Sequence, residues 1–139
     1  MFNHVENKIN YELEATTTDK GRRYKTPEGD EFPSVTTVLG FRGKAAILAW
    51  RQRIGEEEAN KISRRAAGRG TKVHHMAEDY LNNDPVYTQG EMPHVVQLWS
   101  SLKKSIDGHV DNIQAQEVPL YSKDLRLAGR VDLIADYDG

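Results

Sequence analysis

Residues 127–136 read Leu-Ala-Gly-Arg-Val-Asp-Leu-Ile-Ala-Asp and form the stretch on which the fold assignment depends. Apolar and polar residues alternate along it, which is typical of a β-strand with one buried face. A second alternating run at 113–121 precedes it, joined through Ser-Lys-Asp at 122–124. We therefore expect a β-hairpin over residues 113–137, whose second strand starts at 125. In that strand Arg130 and Asp132 share the more polar face.

Helical patterns occupy residues 44–108, ahead of this hairpin. Four stretches carry apolar residues at helical spacing, namely 44–54, 56–65, 71–81 and 93–108. Gly55, Gly68 and the Asn-Asn-Asp-Pro run at 82–85 separate them, and Thr71 is a suitable cap for the third. Val95, Trp99, Leu102 and Ile106 form the apolar stripe of the fourth helix. Residues 1–41 indicate extended structure, with a weak strand at 11–17 and a turn at 27–30.

Length and composition favour one α+β domain. The chain has 139 residues, of which 37% are hydrophobic and 29% charged, as in globular proteins rather than disordered or membrane-spanning ones. We expect a single domain over 1–139, extended at 1–41, helical at 44–108 and a hairpin at 113–137. The absence of cysteine excludes disulfides and thiolate metal sites. With no secretory signal pattern, the expected location is intracellular, with no membrane partner.

Positive charge is concentrated in one part of the chain. Residues 42–72 contain nine Lys or Arg and three Glu, so their net charge is +6 while the remainder carries −8. Such a basic block suggests phosphate binding, although solvated helix faces would produce the same pattern. The candidates for DNA contact in this block are Arg51, Arg64, Arg65, Arg69 and Lys72.

A possible metal site combines a helix with the hairpin. His74 and Glu78 are four residues apart and share one helix face. A neutral imidazole can bind a divalent cation, and a nearby carboxylate can ligate it or orient the ring. Asp132 on the strand is the second candidate ligand. A histidine paired only with a neighbouring acid is the alternative for His74.

A further acid is needed to hold a cation of this kind. Asp136 lies four residues from Asp132, roughly 13 Å along a strand, which is too far to share one ion. Glu117 on the partner strand is therefore the better candidate, although it could equally be a solvated strand residue. Carboxylate ligands suit Mg²⁺, and one imidazole makes Mn²⁺ equally acceptable.

The order of these motifs resembles a known nuclease family. Residues 70–74 (Gly-Thr-Lys-Val-His) with Glu78, then 117–120 (Glu-Val-Pro-Leu), then 128–132 (Ala-Gly-Arg-Val-Asp) resemble the RecB-type branch of the PD-(D/E)XK nuclease superfamily. Within that branch the likeness is to phage exonucleases and the mitochondrial genome maintenance exonuclease. Residues 32–39 are similar to the segment that precedes the helical region in those enzymes.

This resemblance implies a helical region packed on the start of a mixed sheet, with His74 and Asp132 binding metal. The implied function is Mg²⁺- or Mn²⁺-dependent cleavage of DNA single strands or ends, in a bacterial or phage-infected cell and close to the nucleoid. The family's Glu/Asp-x-Lys triplet has no counterpart after Asp132, where no lysine occurs. With an Asp-Gly turn pair at 138–139, the core looks incomplete. We therefore expect a truncated chain, a split enzyme completed by a second polypeptide, or an inactive DNA-binding remnant.

Ser34, Thr36 and Arg130 are further candidates for contact with DNA. Ser34 and Thr36 could donate hydrogen bonds to a phosphate or satisfy the local backbone, and Arg130 could contact DNA beside Asp132.

The alternative function is a non-catalytic nucleic-acid-binding or assembly subunit. A zinc hydrolase built on His74 or His75 with Glu78 is a third, but His4, His94 and His109 lack the spacing of further ligands.

Overall fold

The computed structural model describes residues 1–6, 9 and 11–139, and it has the α+β composition that the sequence predicts. Its elements in chain order are β1 (Glu14–Thr18), β2 (Gly21–Lys25), β3 (Glu31–Pro33), α1 (Val35–Ile54), α2 (Glu56–Leu81), α3 (Pro93–Ile106), β4 (Val110–Ser122) and β5 (Leu127–Tyr137). None of the helices in the described part of the chain combines the length and apolarity that crossing a bilayer requires.

The chain divides into two compact units. The first, which we call the helical unit, comprises residues 1–6, 54–114 and 134–139. The second, the sheet unit, comprises residues 7–53 and 115–133, of which 7, 8 and 10 lie outside the described residues. Strands β4 and β5 pair with each other as a two-stranded sheet, and each contributes residues to both units.

A three-stranded antiparallel sheet forms one part of the sheet unit. Strand β2 is central, with Tyr24 paired to Ala15 of β1 and to Phe32 of β3. Tyr24, Phe32 and Ala128 form the buried cluster of this unit. The turn predicted at 27–30 is confirmed, because the Thr26 amide donates to the Asp30 carbonyl at 2.8 Å and Gly29 has a positive φ of 92°. The weak strand predicted at 11–17 is observed as β1.

Helix α1 begins nine residues earlier than the sequence pattern predicts. Residues 35–41, expected to be extended, are helical because Ser34 caps the helix: its Oγ accepts a hydrogen bond from the Thr37 amide at 3.0 Å. The β-branched residues Val35, Thr36 and Thr37 lower helix propensity and so obscure this start in the sequence. Trp50 is half-buried, and none of the residues of α1 is fully buried.

Helix α2 is a single 26-residue helix, so the prediction of two helices broken around Gly68 is wrong. Gly55 does separate α1 from α2, with φ at 90°. Gly68 and Gly70, by contrast, lie within the helix. An interior glycine costs about 1 kcal/mol relative to alanine, which the flanking strong helix formers and tertiary contacts can offset. Thr71 is therefore an interior residue and not a cap.

Helix α3 packs against α2 in the helical unit. The predicted stripe is confirmed for Val95, Trp99 and Ile106, which are buried, but Leu102 is 41% exposed. The indole of Trp99 lies edge-on to Tyr80 and Tyr87, with ring centroids 5.3 and 5.7 Å away. Aromatic packing therefore positions the C-terminal half of α2 against α3.

The predicted hairpin is confirmed, with β4 extending three residues further towards the N-terminus and β5 beginning two residues later. Two residues of β4, Asn112 and Glu117, have positive φ values of 50° and 52°. A left-handed residue interrupts the alternation of side chains along a strand. The direction of Glu117 therefore does not follow from the period of two that the sequence suggests.

Candidate functional site

The candidate site in the sheet unit is centred on two carboxylates from neighbouring strands. Glu117 of β4 is half-buried and Asp132 of β5 is exposed. One carboxylate oxygen of each lies within 4.8 Å of the other. The pairing of β4 with β5 brings these acids together although fifteen positions separate them in the chain.

This separation fits a shared divalent cation. Two oxygens that bind one Mg²⁺ at 2.0–2.1 Å lie about 3 to 4 Å apart, depending on whether they are adjacent or opposite in the octahedron. The observed upper limit of 4.8 Å requires at most a small rotation of the side chains. Because two carboxylates at this distance repel each other, the pair also favours any cation that neutralises it.

Arg130 supplies a positive charge beside this pair. Its Nη2 lies 2.7 Å from Oε2 of Glu117, while the Arg130 side chain remains 61% exposed. The two residues belong to adjacent strands. A guanidinium in this position can hold the glutamate in place, and it retains exposed donors that could reach a phosphate.

A groove of about 740 Å³ adjoins Asp132 within the sheet unit. It is lined by apolar residues together with several polar ones, which include Arg22, Ser34, Thr36, Ser122, Arg130 and Asp132. Four residues predicted from the sequence thus line one cavity. Arg22 was not predicted, because a single arginine in a short strand carries no signal of which cavity it will line.

The two hydroxyl groups of this groove have different surroundings. The Ser34 side chain is buried; besides accepting from the Thr37 amide, its hydroxyl donates to Thr37 Oγ1 at 2.7 Å. The role of Ser34 as the cap of α1 therefore accounts for these hydrogen bonds. Thr36 is exposed, and its Oγ1 lies 3.2 Å from Ser34 Oγ. Of the two, Thr36 is the hydroxyl that a ligand in the groove could reach.

A tyrosine in the same groove makes a further polar contact. The hydroxyl of Tyr121 lies 3.1 Å from each carboxylate oxygen of Glu28. Burial and this hydrogen bond raise the pKa of Tyr121. The phenol thus stays protonated at neutral pH and serves as a donor. Tyr24, which also lines this groove, is buried in the core, which leaves its ring unavailable for stacking on a base.

The remaining predicted ligands lie on α2 in the helical unit. His74 is exposed and Glu78 is half-buried. Glu78 contacts His75, whose Nδ1 lies 3.9 Å from Oε2 of the glutamate. Two of the histidines considered for a zinc site have local contacts: Nε2 of His4 lies 2.8 Å from the Leu81 carbonyl oxygen, and Nδ1 of His109 lies 2.6 Å from Asp138.

The basic residues predicted to contact DNA are distributed over both units. Arg51 is half-buried on α1, in the sheet unit. The others are exposed on α2. They line a groove of about 280 Å³ at the start of α3, which we call the α2–α3 groove. Besides Val95, the residues that line it are Arg64, Arg65, Gly68, Arg69, Lys72 and His94. Lys72 is ion-paired there, because its Nζ lies 3.0 Å from Oε2 of Glu91.

The clearest pKa shifts occur away from these acids, in the helical unit. Asp107 accepts hydrogen bonds from Lys103 and from the Tyr80 hydroxyl, the latter at 2.6 Å. These bonds lower the pKa of Asp107, and the hydrogen bond from Lys103 has the larger effect. The same carboxylate raises the pKa of Lys103. The role of this cluster is to fasten the end of α3 to α2.

No protein-family model, curated protein or solved structure matches this chain.

Proposed function

We propose that this chain is the metal-binding, DNA-contacting part of a nuclease of the PD-(D/E)XK type, RecB-like branch. Glu117, Asp132 and His74 would hold one Mg²⁺ or Mn²⁺, with Glu78 assisting His74. The observation that carries the proposal is the approach of the Glu117 and Asp132 carboxylates to within 4.8 Å, beside Arg130. His74 is assigned to the same cation from the sequence motifs alone.

The chemistry of these residues suits phosphodiester hydrolysis. A divalent cation at such a site supplies a Lewis acid for the phosphate and lowers the pKa of bound water. Arg130 would offset charge that develops on the phosphate oxygens. Thr36 and Arg22 would hold the strand in the adjacent groove through hydroxyl and guanidinium donors.

Cleavage would need groups beyond those described. The family likeness implies a Glu/Asp-x-Lys triplet, and residues 133–139 contain no lysine. We therefore expect the chain by itself to bind divalent cation and DNA without cutting. A segment or second polypeptide carrying the triplet would complete the site.

Metal binding provides the direct test. Mn²⁺ titrated into the full chain and followed by electron paramagnetic resonance should show a bound ion, and Asp132→Asn and Glu117→Gln should each weaken binding at least 10-fold. Asp124→Asn removes a carboxylate from the exposed β4–β5 turn and should change nothing. Equal affinity in all four proteins would overturn the assignment of the acids.

The role of His74 is tested separately. His74→Gln should weaken Mn²⁺ binding several-fold, whereas His75→Gln, at the neighbouring exposed position, should not. DNA cleavage by the chain that survives both His74→Ala and Asp132→Ala would defeat the nuclease proposal. Metal-dependent cutting that appears only after the Glu/Asp-x-Lys segment is supplied would support it.

A non-catalytic nucleic-acid-binding subunit is the second candidate, favoured by the arginines that α2 exposes in the α2–α3 groove. Phosphate contacts made by arginine are sequence-independent and weaken with salt. This alternative predicts DNA binding that a chelator does not affect, together with no Mn²⁺ site. The electron paramagnetic resonance titration therefore separates the two functions.

A further inference from the structure

The α2–α3 groove has the charge and shape of an anion site. Arg65, Arg69 and Lys72 follow a spacing of i, i+4 and i+7, which places them on one helix face, and Arg64 flanks them. His94 approaches from the first turn of α3. Both helices belong to the helical unit, so one compact body forms this groove.

The cationic groups of the groove are only partly neutralised. Lys72 is paired with Glu91 at 3.0 Å. Within the described residues, no carboxylate lies within ion-pair distance of Arg65 or Arg69. Clustered, unneutralised guanidinium groups are the groups that bind phosphate most effectively, since each offers a planar fork of donors.

Gly68 keeps the groove open. A Cβ added at this position would meet nothing within 4 Å, so close packing does not require glycine. Its φ is also not positive, so the backbone does not require it either. A larger side chain here would project among the arginines. Gly70, in the same helix and with equally open surroundings, does not line the groove.

We propose that the α2–α3 groove binds one phosphate group, with Arg64, Arg65, Arg69 and His94 as its donors. Its apolar lining is limited to Val95, and it contains no Phe, Tyr or Trp side chain that would form a stacking platform for a base. The groove therefore recognises phosphate and not base. The phosphate would come from a DNA strand, an assignment that rests on the proposed function, or from a free phosphate compound, which does not depend on it.

Two probes distinguish these sources, both used with EDTA present so that the metal site is not involved. Inorganic phosphate and a single-stranded 12-mer are titrated separately into ¹⁵N-labelled full chain. Side-chain Nε–H resonances of Arg64, Arg65 and Arg69 should shift with both probes, while that of Arg23, which is ion-paired with Glu31 at 3.8 Å, should not shift with phosphate. A shift with phosphate alone identifies a free phosphate compound as the ligand. No shift with either probe overturns the proposal.

Affinity measurements on matched variants complete the test. Gly68→Gln fills the groove with a better helix former, and should raise the Kd for fluorescein-labelled 12-mer at least 5-fold without unfolding the protein. Gly70→Gln makes the same change outside the groove and should leave the Kd unchanged. Arg69→Gln should weaken binding and reduce the dependence of log K on log salt by about 1.

Equal Kd values for Gly68→Gln and Gly70→Gln would overturn the groove as the binding site. Failure of the nuclease proposal has a different signature. If the chain binds phosphate but no Mn²⁺, the nuclease proposal fails and the groove proposal stands, because none of the donors in the groove belongs to the proposed metal ligands.

Discussion

The guanidinium of Arg130 lies 2.7 Å from a carboxylate oxygen of Glu117, which is itself held in a left-handed backbone conformation with φ at 52°. Such a conformation costs an ordinary side chain about 1–2 kcal/mol. The carboxylate that approaches Asp132 therefore sits on a strained residue. Backbone strain of this kind is often retained at functional sites, where the position of a side chain matters more than stability.

Paired substitutions at Glu117 measure this strain. Glu117→Gly relieves the left-handed conformation, whereas Glu117→Ala does not, and both remove the carboxylate. We expect the glycine variant to have the higher free energy of unfolding, by about 1 kcal/mol, as measured by urea denaturation. At Gln114, an exposed β4 residue whose φ is not positive, the order should reverse. Greater stability of Glu117→Ala would contradict the strain.

The hydroxyl of Ser34 is expected to stabilise α1 and not to bind ligand directly. Ser34→Ala removes the acceptor for the Thr37 amide and should lower the free energy of unfolding by about 1 kcal/mol, and up to about 2 because the site is buried. Thr36→Ala should change stability by less than about 0.5 kcal/mol. Unfolding curves of both variants test this. If Ser34→Ala leaves stability intact but weakens DNA binding, the cap does not explain Ser34.

Glycines in this chain should respond to alanine in opposite directions. At Gly21, φ is 109° and an added Cβ would lie 2.7 Å from Thr37 Oγ1. Gly21→Ala should therefore lower the free energy of unfolding by at least about 2 kcal/mol. Gly70→Ala, in open space inside α2, should raise it by about 1 kcal/mol. Thermal unfolding of the two variants gives the comparison, and the same sign of change in both would contradict it.

The periodic patterns of the sequence predict the hairpin, α3 and the turn at 27–30 because in those elements local propensity and burial agree. They wrongly predict that a helix ends near Gly68, because two glycines indicate a helix end when the tertiary contacts that stabilise α2 are not known. They also fail at residues 35–41, where the decisive feature is one hydrogen bond that the Thr37 amide donates to Ser34 Oγ. Each failure arises where a single tertiary or capping interaction outweighs local preference.

The candidate site was only partly accessible from sequence. Glu117 and Asp132 could be named as acids of a hairpin, but their approach depends on the left-handed turn of the backbone at Glu117, which no residue type at that position indicates. Arg22 and His94 join their grooves through folding alone. A glycine in the sequence usually indicates a left-handed backbone conformation, whereas a glutamate does not.

The Asp107–Lys103 pair predicts how stability depends on pH. Hydrogen bonds from Lys103 and Tyr80 lower the pKa of Asp107, so its stabilising contribution is complete above the unfolded value of about 3.9 and is lost as pH falls through the folded value. The pKa of Lys103 is raised, so its contribution is complete below about 10.4 and is lost at higher pH. The pair therefore acts between about pH 4 and pH 10.

Asp107→Asn should consequently lower the free energy of unfolding at pH 7, and by less at pH 3, because the contribution of the wild-type carboxylate is progressively lost below the unfolded pKa. Urea denaturation from pH 3 to pH 7 measures the gap between the two proteins. In a Lys103→Met background the gap at pH 7 should shrink, because the main cause of the lowered pKa is removed. A gap of the same size at pH 3 and pH 7 would show that Asp107 stabilises the α2–α3 contact through packing and not through its charge.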